Sequence, residues 1–279
     1  MNSKKSIQSK KSILPTLIII AFTALLIVVF SVGYFLPRTT ANTTLDQYDT
    51  LVDSQYDTTA PLPDFSKYKD ISKKKIDFFE YLLPKVHITN QEILNERKWL
   101  TERKILSNSS HKMTEENLAI LYKLVDKYKI KKKAPLNIIK ALLIKVDIIP
   151  PSLVLAQAAN ESAWGTSRFA KQANNLFGQW CYVKGCGLIP KQRGKNEKHE
   201  VAKFKTIQGS VSSYMRNLNS QHSYADLRAL RAKIRSRNKT IRGYELANGL
   251  LMYSTRRQAY VDEIQDMIQH NKLYKYDSN

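Results

Sequence analysis

Hydrophobic and polar positions divide the chain into stretches of different character. From Ile13 to Leu36 no position carries a charge and most are apolar. At about 1.5 Å of rise per residue this stretch spans about 36 Å, enough to cross a bilayer with slight tilt. A core helix seldom stays apolar on every face for so long, so residues 13–36 are predicted to form one transmembrane anchor. Lys4, Lys5, Lys10 and Lys11 precede it and Arg38 alone follows closely. That bias makes residues 1–12 a cytoplasmic tail and exports everything after Leu36. A cleaved signal peptide is the rival reading. Its apolar region is normally shorter, about 7–15 residues, and Thr39 and Ala41 make only a weak cleavage site.

Beyond the apolar stretch, residues 37–65 are rich in Thr, Asp and Tyr, include Pro61 and Pro63, and hold no period. They read as a stalk. Residues 66–134 read as an accessory helical region. Ile76, Phe79, Tyr81 and Leu83 form one segment before Pro84, and Ile93, Leu94 and Leu100 form a second. Thr114 is a predicted N-cap for a helix carrying Leu118, Leu121, Val125 and Tyr128. The main domain, 135–279, restarts at Pro135 with Ile138 and Leu142. Pro150-Pro151-Ser152 then opens a helix from Leu153 to about Ala163. Glycines interrupt residues 174–205, which read as a loop and a small β-hairpin. Helical stripes return at Val211/Tyr214/Met215/Leu218, at Leu227/Leu230/Ile234 and at Val261/Ile264/Ile268. The fold class expected is α+β, mostly α, with a small β lobe facing an α lobe across a cleft.

Charge changes the picture less than it first suggests. With 45 Lys and Arg against 24 Asp and Glu, the 279-residue chain carries +21. Such an excess favours an anionic partner, yet basic runs are often only solvated faces. An exported domain meets phospholipid and wall polymers rather than DNA, so no nucleic-acid partner is expected. The five His residues, 87, 111, 199, 222 and 270, form no pair at helical ligand spacing, and no Gly-rich nucleotide loop is present. No metal or cofactor is expected. Cys181 and Cys186 bracket Tyr-Val-Lys-Gly in a compartment that permits disulfides, so a local bridge is favoured over two free thiols or half a zinc site.

The chemistry concentrates in residues 156–178, AQAANESAWGTSRFAKQANNLFG. Glu161 falls near the end of its helix, with Ala158, Gln157 and Val154 on the same face. Small residues there permit close packing, and Trp164 is near. Burial of this kind disfavours the ionised carboxylate and suits it to donate a proton. A solvated glutamate at a helix end is the plain alternative.

Glu161-Ser-Ala-Trp-Gly165, Asn175-Leu-Phe-Gly178, Phe204 with the helix after it, and Tyr253-Ser-Thr255 with Tyr260 together resemble the glucosaminidase family of peptidoglycan hydrolases, glycoside hydrolase family 73. The Cys181–Cys186 loop and His199 to Phe204, HEVAKF, are similar to its Bax-like branch of Gram-negative bacteria. The resemblance covers about residues 135–270. It implies a lysozyme-like domain that cleaves β-1,4 bonds after N-acetylglucosamine in peptidoglycan glycan strands, as an endo-acting enzyme in the periplasm, anchored in the inner membrane. It implies Glu161 as general acid and Tyr253 close beside it. Trp164, Trp180 and Tyr260 would meet sugar rings, and Asn175 and Phe177 would belong to the substrate site by shaping the turn beneath the cleft. Relatives carry a second carboxylate on the first hairpin strand, which by the resemblance runs from Leu188 to Arg193 here and has no acid. Glu200, with Glu197 behind it, is the candidate for that role. A route using the sugar's own acetamido group needs no second carboxylate. A muramidase or lytic transglycosylase, or a wall-binding protein without activity, remain the alternatives. Oligomeric state is not legible.

Overall fold

The computed structural model describes residues 59–107, 113–131, 134–194 and 196–277. The tail 1–12, the anchor 13–36 and most of the stalk lie outside the described residues. Among those described, no helix is long and apolar enough to cross a membrane.

Helix α1, Ile71–Ser107, is continuous where two segments separated at Pro84 were expected. A proline costs a helix one N–H donor and crowds the preceding turn. Phe78, Phe79, Leu82 and Val86 are all buried on either side of it. Burial on both flanks holds the chain helical through the break. Helix α2, Glu115–Lys127, begins as predicted, with Thr114 Oγ1 accepting from the Asn117 N–H at 3.3 Å. Helix α3, Pro135–Lys145, leads to α4, Pro151–Ser162.

Everything else is arranged around α4. Residues 151–159 are buried on every face. Its N-terminus is closed by Asp277 from the far end of the chain. That carboxylate accepts from the Ser152 N–H at 2.9 Å, the Ser152 hydroxyl at 2.6 Å and the Gly243 N–H at 2.8 Å. An anion at this position also complements the helix dipole. Ser152 therefore lies inside the first turn, with Pro150 as the cap.

Helix α5, Arg168–Ala173, precedes the β lobe. The lobe is not the predicted hairpin. Strands β1 (Trp180–Cys181), β2 (Gly187–Leu188) and β3 (Glu200–Ala202) form one antiparallel sheet in the order β1-β3-β2. Both short strands pair with β3, through Trp180↔Val201 and Leu188↔Val201. Gly187 makes this possible: a Cβ there would lie 1.9 Å from the Val201 carbonyl oxygen. The segment expected as the first strand leaves the sheet after Leu188 and turns at Pro190, which has no N–H to offer a ladder.

Helices α6 (Ile207–Ser220), α7 (Ala225–Ser236), α8 (Gly243–Leu246) and α9 (Gln258–His270) complete the α lobe. Residues 65–134 are not separate from it. Phe65, Phe78, Leu82, Leu100 and Leu121 belong to the same continuous core as Leu153, Leu155 and Val261. A buried polar knot ties the periphery together. Arg235 grips Asp147 through two hydrogen bonds, at 2.5 and 2.6 Å, and Arg97 of α1 lies 3.5 Å from it. Arg231, 1% exposed, donates to the carbonyls of Lys145, Asp147 and Ile148.

Candidate active site

Glu161 is the penultimate residue of α4, and the motif around it is a device for ending that helix. Ala163, Trp164 and Gly165 all have positive φ, at 50°, 59° and 76°. The Trp164 N–H bonds back to the Ala159 carbonyl at 2.9 Å, which closes the last turn. The Ser162 hydroxyl donates to the Ala158 carbonyl at 2.6 Å and accepts from the Gly165 N–H at 2.7 Å. A Cβ at Gly165 would meet the Phe65 ring at 2.8 Å, so glycine is required for space as well as for φ. Serine and glycine of the motif thus shape the turn, and the turn throws Trp164 onto α1. Its ring packs edge-on with Phe78 and Phe79, at 5.7 and 5.2 Å between centroids.

The Glu161 side chain is half-buried. Its Oε1 accepts from the Tyr260 hydroxyl at 2.8 Å. Tyr260 in turn accepts from Gln157 Nε2 at 2.8 Å, and Gln157 Oε1 accepts from the Tyr214 hydroxyl. Every donor in this chain points towards Glu161. Gln157 sits one turn before Glu161 on α4 and is fully buried among apolar residues. Burial raises the Glu161 carboxyl above the ordinary carboxylate range, and nearby Glu263 adds to the rise. Hydrogen bonds from Tyr260 and Asn160, and the Arg256 guanidinium, oppose it. Arg256 pairs with Glu263 and lies over the Tyr260 ring, 5.7 Å from its centroid.

The other expected site residues are placed unevenly. Tyr260 is 1% exposed and offers no free ring to a sugar; its hydroxyl holds Glu161 instead. Tyr253 stacks on Tyr260, 5.2 Å between centroids and 9° between planes, and donates to the Phe177 carbonyl at 3.0 Å. Burial raises its pKa well above 10.0, so it stays neutral. Asn175 and Phe177 are buried and do not line an open surface. Asn175 Nδ2 donates to the carbonyls of Gln179 and Ala202 at 2.9 and 2.8 Å, bracing the turn against β3. Phe177 stacks on Tyr214 at 3.9 Å. Trp180 is 57% exposed, with one face on His199 and the other open.

Glu200 is drawn into the β lobe. Its two oxygens accept from the N–H groups of Gly185 and Gly187, at 3.0 and 2.8 Å, and these bonds lower its pKa. Gly185 lies inside the loop closed by a Cys181–Cys186 disulfide, and Gly187 follows that loop as the first residue of β2. Glu200 thus braces the β lobe, each oxygen taking one backbone N–H. Cys181, Cys186 and Glu200 lie close together, but the disulfide leaves neither sulfur as a thiolate ligand for a metal. Sequence reasoning placed Gln157 on the right face without a role, and missed Arg256 and Glu263. An amide inside the Ala- and Leu-rich part of the helix was a usable signal, since buried amides are nearly always bonded.

Comparison with known proteins gives this geometry a family. The glucosaminidase model, described as mannosyl-glycoprotein endo-beta-N-acetylglucosaminidase, matches residues 136–273. Protein bax of Escherichia coli (strain K12) is 33% identical over 216 residues, covering 76% of this chain and 74% of its own. Exo-glucosaminidase LytG of Bacillus subtilis (strain 168) is 38% identical over 77 residues, 28% of this chain and 26% of its own. No solved structure gives a significant match. The chain belongs to the glucosaminidase family of glycoside hydrolases, and within it to the Bax-like members.

Proposed function

We propose that this protein is a peptidoglycan hydrolase, an endo-β-N-acetylglucosaminidase whose general acid is Glu161. The observation that carries the reading is the one-way donor chain Tyr214–Gln157–Tyr260–Glu161 behind a half-buried carboxyl. Because Oε1 is the acceptor end of that chain, the proton of the neutral acid resides on Oε2. Proton transfer from Oε2 to the glycosidic oxygen accompanies cleavage of its bond to the anomeric carbon. With Glu200 engaged elsewhere, the acetamido oxygen of the same sugar closes on the anomeric carbon. Water then opens that cyclic intermediate, with the Glu161 carboxylate taking the water's proton. Tyr253, neutral and anchored to the Phe177 carbonyl, positions the acetamido group and supplies no base.

Endo action rests on the family description, whereas LytG is named as exo-acting. The charge-free stretch from Ile13 to Leu36, after four lysines, supports an inner-membrane anchor with the catalytic domain in the periplasm. Digestion of purified sacculi, borohydride reduction and mass spectrometry test the bond specificity. Internal fragments ending in reduced N-acetylglucosamine are expected. Monosaccharide release would contradict endo action, and anhydromuramic ends would indicate a lytic transglycosylase instead.

A further inference from the structure

Arg256 stands beside the donor chain that ends on Glu161, at the point where the backbone enters α9. Its N–H donates to the Ser254 hydroxyl at 3.2 Å, and its carbonyl accepts from the Ala259 N–H at 3.2 Å. Arg257 next to it takes φ 49° and ψ −111°, a conformation that residues other than glycine rarely adopt. Strain of this kind persists only where the surroundings impose it, and it concentrates at functional sites. Arg256, Tyr260 and Glu263 follow at i, i+4 and i+7, on one flank of α9. The guanidinium lies over the Tyr260 ring, 5.7 Å from its centroid, and an ion pair with Glu263 holds it there. The hydroxyl of that same ring donates to Glu161 at 2.8 Å.

Few charges act on the acid. Tyr214 of α6, Tyr224, Tyr253 and Tyr260 all interact with Glu161, and burial raises each above its ordinary pKa, so all four stay neutral. Asn160 donates without charge. The charges that act most on Glu161 are Arg256 and Glu263, in opposite senses. A cation over a phenol ring is attracted by the ring's electrons. By drawing density from the ring it also makes the hydroxyl a better donor. Arg256 alone would favour the ionised carboxylate and leave less proton to give. Glu263 alone would hold the proton and oppose its transfer. We infer that Arg256 is a positioning residue for the general acid: held over Tyr260 by Glu263, its guanidinium supports the Glu161 carboxylate that forms when the glycosidic oxygen takes the proton. The inference rests on the reading of Glu161 as the acid. It adds an ion pair on α9 that tunes this acid through the ring of Tyr260.

The test follows the Glu161 carboxyl by 13C NMR in full-length protein labelled at the glutamate carboxyls, with the signal assigned by its loss in Glu161→Gln. Arg256→Gln removes the cation and leaves Glu263 unpaired, so the Glu161 titration should move to higher pH. Glu263→Gln leaves Arg256 to act on Glu161 unopposed, so the titration should move to lower pH. Arg256→Lys keeps the charge and should return the titration towards wild type. On sacculi the alkaline limb of the pH–activity profile should follow the same order. Arg256→Gln should also lower kcat by about tenfold with KM unchanged, less than the about 10²–10³-fold loss expected for a group touching the reacting atoms. A purely structural Arg256 would lower the melting temperature but move neither the titration nor the limb. Titrations that stay with wild type in both glutamine variants, or that move in the same direction, would overturn the inference, as would a lysine variant that behaves like Arg256→Gln. If the titrations split as expected while Glu161→Gln still digests sacculi, the function proposed above fails and the coupling of Arg256 to Glu161 stands.

Discussion

At Glu161, burial and hydrogen bonding pull the proton in opposite directions, and the balance has two measurable consequences. Tyr260 donates to the carboxylate and so favours its ionised form. Tyr260→Phe removes that donor, and the proton is then retained to higher pH. The alkaline limb of the pH–activity profile should therefore move upward, while the loss of positioning lowers the maximal rate. A limb that stays in place would mean that the hydrogen bond does not set the acid's proton affinity. The second consequence is for stability. Because the folded chain holds this proton more tightly than the unfolded one, folding stability falls as pH rises through the window above the ordinary carboxylate pKa. Glu161→Gln has no proton to lose there. Its melting temperature relative to wild type should rise as pH increases across that window, as scanning calorimetry would show. Much of this was legible in the sequence, because Glu161, Trp164 and Gly165 stand at adjacent positions of one motif. Tyr260 was singled out too, but for its ring. Its inward direction depends on how α9 packs against α4, and nothing in the local sequence encodes that.

Among the elements, the β lobe was the least readable. Strands of two or three residues carry no alternation to detect, and β3 pairs with partners on both sides, as a hairpin reading does not allow. The family resemblance placed a strand over Leu188 to Arg193, but Pro190 has no N–H to continue a ladder beyond Leu188. Helices α4 and α6 were legible for the opposite reason: their apolar stripes run for three turns or more and their starts carry Pro or Thr. The misplaced strand matters for mechanism, since it bears on Glu200. If Glu200 braces the disulfide loop, Glu200→Gln should leave most activity on sacculi intact and lower the melting temperature modestly. Loss of a true general base would instead reduce the rate by about 10²–10⁴-fold.

At the scale of the whole molecule, the helices before Pro135 are structural partners of the catalytic helix. Phe78, Phe79, Leu82, Val86 and Leu100 are buried against it and its neighbours. Each such side chain contributes about 1.5–3 kcal/mol, so losing all of them removes stability comparable to the about 5–15 kcal/mol of a whole domain. A chain beginning at Pro135 should accordingly lack a cooperative thermal transition by circular dichroism. The sequence showed this region as helical but not as part of one core, because contacts between Phe78 and Trp164 bridge more than eighty positions. Asp147, the hub for Arg97 and Arg235, makes a sharper probe of the same assembly. Asp147→Ala leaves the partly exposed Arg97 and Arg235 without their shared carboxylate and should lower unfolding free energy by about 1–3 kcal/mol, read from the denaturant midpoint. The measurement that bears most directly on the central claim is simpler. Purified sacculi are incubated with wild-type protein and with Glu161→Gln, both shown to be folded, and soluble glycan fragments are quantified. Release by the wild type and none by the variant is the predicted result; equal release by both would contradict the account.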